Sequence, residues 1–305
     1  MKEKLPERQL NKDEPSMSAL NKKDNALMGV LFILLSAFFY SLMSLFVRLA
    51  GELPTFQKAF FRNLIAAIVG LVLLIKSGSF KIGKGNLPSL LGRSIAGTVG
   101  ILCNFYAIDN MNISDASILN KLAPFFSIIF SILLLKEKAS WKDWILVGIA
   151  FSGALFIVKP SFNLTQSVPA LIGVVGGLGA GLAYTFVRKL GKHGERTAMI
   201  VFFFSAFSCL SMLPMTIFQY RPMTFGQVGF LLLAGLAASG AQFTVTKAYT
   251  YAPAKDVSVY DYSQVLFTAL WGVLFLSELP DIFSIIGYTI IISAAVIKYA
   301  LTKRK

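Results

Sequence analysis

The sequence predicts an all-α polytopic membrane protein of about ten transmembrane helices, arranged as two inverted five-helix repeats. Three observations predict it. The first is composition: of 305 residues, 55% are hydrophobic and 14% charged, with a mean hydropathy of +0.68. A soluble chain runs nearer ~45–50% apolar and ~25% charged, and a water-facing surface of this composition would carry large apolar patches. The second is a succession of long apolar runs without the alternation that marks barrel strands. The third is a set of polar landmarks that recur at one spacing.

Residues 1–25 are polar, carry both charge signs and contain Pro6 and Pro15, and they read as a flexible cytoplasmic tail without the cleavage pattern of a secretory signal. Apolar runs follow at about 26–47, 56–75, 88–108, 114–135 and 141–158, then at 169–188, 197–219, 226–250, 257–276 and 281–300. Each is long enough to cross a bilayer, the fifth at the short limit. The first repeat is therefore set at 26–158 and the second at 169–301.

Loop charges orient the chain, because basic residues concentrate on the cytoplasmic side. With the N-terminus inside, twenty-one Lys and Arg residues fall in the inner segments, Arg93 among them, against four outside: Arg48, Lys58, Lys159 and Arg221. Both termini are read as cytoplasmic and the membrane as the plasma (inner) membrane. The net charge of +14 is then topological, and nucleic acid is not a partner.

The repeat is visible in four matches. Phe46-Val47-Arg48 returns as Phe186-Val187-Arg188 at an offset of 140; Asp115 and Glu137 return as Asp256 and Glu278 at 141; Gly148 returns as Gly287 at 139. An odd number of spans per copy inverts the second in the membrane, which is a transporter signature.

The stretch Asp115-Ala116-Ser117-Ile118-Leu119-Asn120-Lys121-Leu122-Ala123-Pro124, with Glu137, Trp144 and Gly148 after it, resembles the EamA type of the drug/metabolite transporter superfamily. The second half repeats it more loosely from Asp256 to Gln264, with Glu278 and Ile286-Gly287, and has Val265 where the first half has Pro124. The resemblance spans roughly residues 28–301. It implies two five-helix repeats, a central cavity lined by spans one to four and six to nine, and secondary transport of small metabolites.

Charges inside a span need a reason to be there. Asp261, Gln264 and Thr268 share one helix face, and Asn120, Pro124, Ser127 and Ser131 form the matching stripe of the fourth span. These faces are expected to line the substrate path, with Asp261 the proton- or cation-coupling carboxylate; the alternative is a surface pairing of Asp261 with Lys255. Lys121 is expected to bind an anionic group or pair with an acid, whereas Arg62, early in its span, is expected to snorkel to the interface. Lys247 is a weaker cavity candidate. Stripes on span one (Ser36, Tyr40, Ser44, Arg48), span three (Gly97, Gly100, Asn104) and span eight (Gln242, Thr246, Tyr249) are either cavity wall or interhelical contacts. Tyr40, Tyr106, Tyr184, Tyr260 and Tyr262 offer aromatic walls. Gly173, Gly177 and Gly181 form overlapping GxxxG patterns and predict close helix packing.

No metal or cofactor is expected. Cys103 and Cys209 lie in apolar runs and His193 has no second ligand nearby. Residues 78–84 spell GxxxxGK, but Gly85 stands where a P-loop needs Ser or Thr. The expected activity is a secondary carrier for an amino acid, nucleobase-like or drug-like compound, working by alternating access with ion or proton coupling or exchange. The alternative is a membrane-embedded enzyme acting on lipid, for which no acidic pair or oriented nucleophile is at hand. The partners are a small-molecule substrate and the bilayer, with the tenth span leaving a homodimer open.

Overall fold

The computed structural model describes residues 17–136, 140–158, 164–251 and 258–303. Residues 1–16, Glu137, Lys159, Lys255 and Asp256, all weighed above, lie outside them. Among the described residues every regular element is helical.

Helices α1 (Met17–Leu49), α2 (Thr55–Lys76) and α3 (Leu87–Asn110) follow the first three apolar runs. Helix α1 begins inside the stretch read as tail, since neither Pro nor Gly interrupts residues 17–28 and a helix propagates readily from an existing nucleus. The fourth run is two helices, α4 (Ile113–Asn120) and α5 (Ala123–Leu135), and α6 (Trp141–Val158) closes the first half. The second half runs α7 (Leu164–Lys192), α8 (Thr197–Phe218) and α9 (Phe225–Tyr251). Its ninth run is a 3-10 turn (Ser258–Tyr262), α10 (Ser263–Trp271) and a π-helical turn (Gly272–Leu276), and α11 (Ile282–Lys303) ends the fold.

The chain is a multi-pass membrane protein. Among the described residues seven segments are long and apolar enough to cross: Leu27–Leu49, Thr55–Lys76, Leu87–Asn110, Ile113–Leu135, Ser167–Gly191, Thr197–Phe218 and Phe225–Val245. Trp144–Gly153 and Ile282–Ile297 are shorter apolar stretches, and the ninth run is divided into pieces.

Helix α2 shows how the burial works. Ile68, Leu71, Val72 and Ile75 recur at i, i+3, i+4, i+7 and are exposed. Gln57, Lys58, Ala59, Arg62, Asn63, Ala66 and Gly70 are buried. An exposed apolar face with polar residues inside is the pattern expected when lipid, not water, is the surroundings. Lys58, assigned to an outer loop from sequence, is 1% exposed and pairs with Asp109 at 2.6 Å.

The helices pack in long pairs: α1 along α9, α3 along α7, α2 along α8 and α6 along α11. Glycines make the α7 contacts possible on two sides. A Cβ at Gly177 would lie 2.7 Å from the carbonyl of Leu119, and one at Gly181 would lie 2.7 Å from that of Ala123, so α7 touches the backbone of α4 and α5. A Cβ at Gly179 would meet Ala96 O at 2.9 Å on α3. The GxxxG expectation holds, and Gly176 and Gly179 extend it to a second partner.

Side-chain to backbone staples tie the ends. At one end Glu195 Oε2 accepts from Gly83 N–H and Asn86 Nδ2, both at 2.9 Å, while Arg196 donates to Ser79 O and Lys81 O. His193 sits in this cluster, with Nδ1 3.3 Å from Asn86 Oδ1. At the other end Gln57 exchanges two hydrogen bonds with the backbone of Arg221, and Gln227 donates to Ala50 O.

Candidate functional site

Two interrupted helices meet beside the central cavity. In the first, Lys121 N–H still reaches Ser117 O, but Leu122 N–H turns to Leu119 O and Phe125 N–H to Leu122 O. Pro124 carries no N–H and disfavours a helical residue before it, so the run breaks at Lys121-Leu122. The break leaves the carbonyl of Lys121 without its helical donor, and the hydroxyl of Tyr262 donates to it at 3.0 Å from the second interruption. One residue earlier, Asp261 Oδ2 receives Lys121 Nζ at 2.5 Å, the side chains being 8% and 19% exposed. Each break thus supplies what the other lacks: an acceptor for the hydroxyl and a counter-charge for the ammonium. The remaining oxygen, Asp261 Oδ1, is buried without a hydrogen-bond partner among the described residues.

The cavity beside this clasp measures about 90 Å³, several times the ~10–15 Å³ that one water needs. Tyr40 and Met43 of α1, Arg62 of α2, Arg93 to Phe105 on one face of α3, Asn120 and Lys121, Tyr184 of α7, Phe204 of α8, Gln242 of α9 and Gln264 of α10 line it. Seven sequence candidates come together there: Tyr40, Asn104, Asn120, Lys121, Tyr184, Gln242 and Gln264. Asp261 reaches it through Lys121.

The others are placed elsewhere. Ser44 bonds back to Tyr40 O in its own helix, and Thr268 bonds back to Gln264 O. Ser127 turns toward Thr185 of α7 at 3.2 Å. Tyr106 and Tyr260 are not in the wall; Lys247 is exposed, its ammonium 5.3 Å from the centre of the Phe32 ring. The side chains of Pro124 and Thr246 lie outside the described set.

Two arginines change role. Arg62 is 2% exposed and lines the cavity, donating through Nη1 to Asn63 Oδ1 at 2.6 Å, so it does not snorkel. Arg93, counted from sequence as a loop charge, is 6% exposed with its guanidinium 3.7 Å above the Phe204 ring. Gly97 makes room for it: a Cβ there would stand 2.2 Å from Arg93 Nη1. The signal was available, because Arg93 extends the Gly97, Gly100, Asn104 face by one turn.

A second cluster joins α1, α3 and α4 to Glu278. Arg48 of α1 pairs with Glu278 at 2.9 Å and donates to Ile108 O at 2.7 Å. Glu278 Oε2 also accepts from Ile113 N–H, at the first turn of α4. The carboxylate therefore sits at a helix N-terminus, where unsatisfied N–H groups favour negative charge. Ser277, just before it, takes a left-handed conformation (φ 53°), as Lys136 does after α5 (φ 52°).

The EamA-like transporter family matches residues 27–159 and 168–299. The pseudopaline exporter CntI of Pseudomonas aeruginosa is 34% identical over 279 residues, 91% of this chain and 96% of that protein. Solute carrier family 35 member G1 of Homo sapiens is 26% identical over 284 residues, 88% of this chain and 78% of its own. A crystal structure at 16% sequence identity shares the fold with a TM-score of 0.65, covering 90% of this chain and 98% of the other.

Proposed function

The chain belongs to the EamA-like transporter family and is a small-molecule transporter; from that premise we propose that it is a secondary carrier working by alternating access, with ten spans in two inverted repeats, 26–158 and 169–301. The observation that carries this is the cross-break clasp of Lys121 with Asp261 and Tyr262 beside a polar cavity. Discontinuous helices at a repeat interface are where transporters place substrate and coupling sites. The packing pattern supports the inverted pair: exchanging the two halves turns the α1–α9 contact into α7–α3, and maps α2–α8 and α6–α11 onto themselves.

In the cycle, Arg48–Glu278 closes one end of the cavity. Asp261 is the proton- or cation-coupling carboxylate, held by Lys121 in this state. The bilayer is the plasma membrane, with both termini cytoplasmic. Loop charge supports this: leaving out Arg93 and Lys58, which are buried, twenty basic residues oppose three. The cargo is a small organic metabolite, as the relative named for pseudopaline export suggests.

The test is metabolite profiling of cells and medium, comparing native protein with Asp261→Asn at equal membrane abundance. A compound that shifts with the native protein and not with the variant supports the carrier and the site together. Equal shifts with both remove Asp261 from the mechanism.

A further inference from the structure

Arg62 and Arg93 present an uncompensated charge to the cavity. Their Nε atoms are buried and have no hydrogen-bond partner among the described residues. Ion pairs there join Arg48 to Glu278, Lys58 to Asp109 and Lys121 to Asp261, and none of them uses either arginine. Among the described residues the hydrogen-bond partner of Arg62 is the neutral amide of Asn63, whose own Nδ2 is committed to Ala59 O. Arg93 has the ring face of Phe204. Burying a cation without a counter-ion is costly, and intramembrane arginines mark ligand paths for that reason. A surface role is excluded by their exposure.

Resting on the carrier reading above, we propose that Arg62 and Arg93 form the anion site of this cavity and that the cargo is an organic anion with two carboxylate groups. Lys121 is already neutralised by Asp261, so two positive charges face the void and a dianion balances them. The guanidinium fork matches a carboxylate through two parallel N–H···O bonds, which a lysine cannot reproduce. Phosphate shares this chemistry. Two guanidiniums carried on separate helices, α2 and α3, with the amide of Asn104 in the same wall, fit a carbon skeleton carrying two small planar anions rather than one compact phosphate group.

The test uses purified full-length protein in detergent, with thermal unfolding followed by tryptophan fluorescence. The probes are glutarate, its neutral diamide glutaramide, 1,5-diaminopentane and inorganic phosphate. Glutarate is expected to raise the unfolding temperature, and the diamide and diamine to leave it unchanged. Arg62→Lys and Arg93→Lys, each keeping charge and a monodisperse elution profile, are expected to weaken the glutarate effect by about tenfold or more. An equal response to glutaramide, a glutarate response untouched by both substitutions, or no glutarate response overturns the anion site. A stronger response to phosphate overturns the carboxylate assignment. The profiling experiment above separates this from the carrier reading: a neutral or cationic compound moved by the native protein overturns the anion site alone, whereas no compound moved in either direction counts against the carrier itself.

Discussion

The hydroxyl of Tyr262 donates to the main-chain carbonyl of Lys121 at 3.0 Å, across 141 residues of sequence. That interval is the repeat spacing of Asp115 with Asp256 and of Glu137 with Glu278, so the hydrogen bond joins the two interrupted helices at equivalent positions. The carbonyl is exposed to a side-chain donor only because its helix breaks there.

Tyr262→Phe removes that donor and leaves a buried carbonyl unsatisfied. A loss of about 1–3 kcal/mol is expected, read as a lower unfolding temperature of the purified protein. Tyr220→Phe, at an exposed hydroxyl outside the helices, is the control and should change nothing. Equal stability of Tyr262→Phe and the native protein would show that the breaks do not depend on the bond.

Glu278→Ala removes the counter-ion of Arg48 and the acceptor of Ile113 N–H together. The closed end should loosen. A cysteine at position 104, in a background lacking Cys103 and Cys209, is expected to react several-fold faster with a water-soluble maleimide added from the Glu278 side. An unchanged rate would remove the pair from any closing role.

Gly177→Ala places a methyl group 2.7 Å from Leu119 O, a contact that forces α7 away from α4. Overpacking of this kind costs about 1–3 kcal/mol. Gly191→Ala, in the same helix with nothing within 4 Å of its added Cβ, is expected to be neutral or slightly stabilising. Similar unfolding temperatures for the two variants would contradict the close approach.

Burial pushes the Glu195 carboxyl up, but hydrogen bonds from Asn86, Gly83 N–H and Arg196 N–H, with the Arg196 charge, outweigh it and hold the group below its ordinary value of 4.5. A depressed carboxylate stabilises the folded state above that ordinary value, and the contribution is lost as the pH falls through the lower folded value. Unfolding temperature should therefore drop more steeply below about pH 4.5 for the native protein than for Glu195→Gln. Parallel curves would mean that this staple contributes nothing to stability.

The class and the family are legible in local pattern: uninterrupted apolar runs, basic loops, and the stretch from Asp115 to Pro124. The sequence also marked seven of the seventeen residues of the cavity wall, since Tyr40, Asn104, Asn120, Lys121, Tyr184, Gln242 and Gln264 are polar or amphipathic groups interrupting apolar helices. What it left undecided was where each charge points. Arg62 and Arg93 both lie near the start of a run, and a long cationic side chain in that position satisfies a linear reading by reaching for water. Only the tertiary packing decides otherwise. Gly97 vacates the space that the Arg93 guanidinium fills against Phe204, a residue of another helix. The helix break in the second repeat has the same origin. Pro124 accounts for the first interruption from sequence alone, but Val265 does not account for the second, where Asp261 and Tyr262 are engaged by Lys121 across the interface. The second break and the buried charges are settled by partners distant in the chain, because their cost is met by hydrogen bonds and counter-ions that no local window contains.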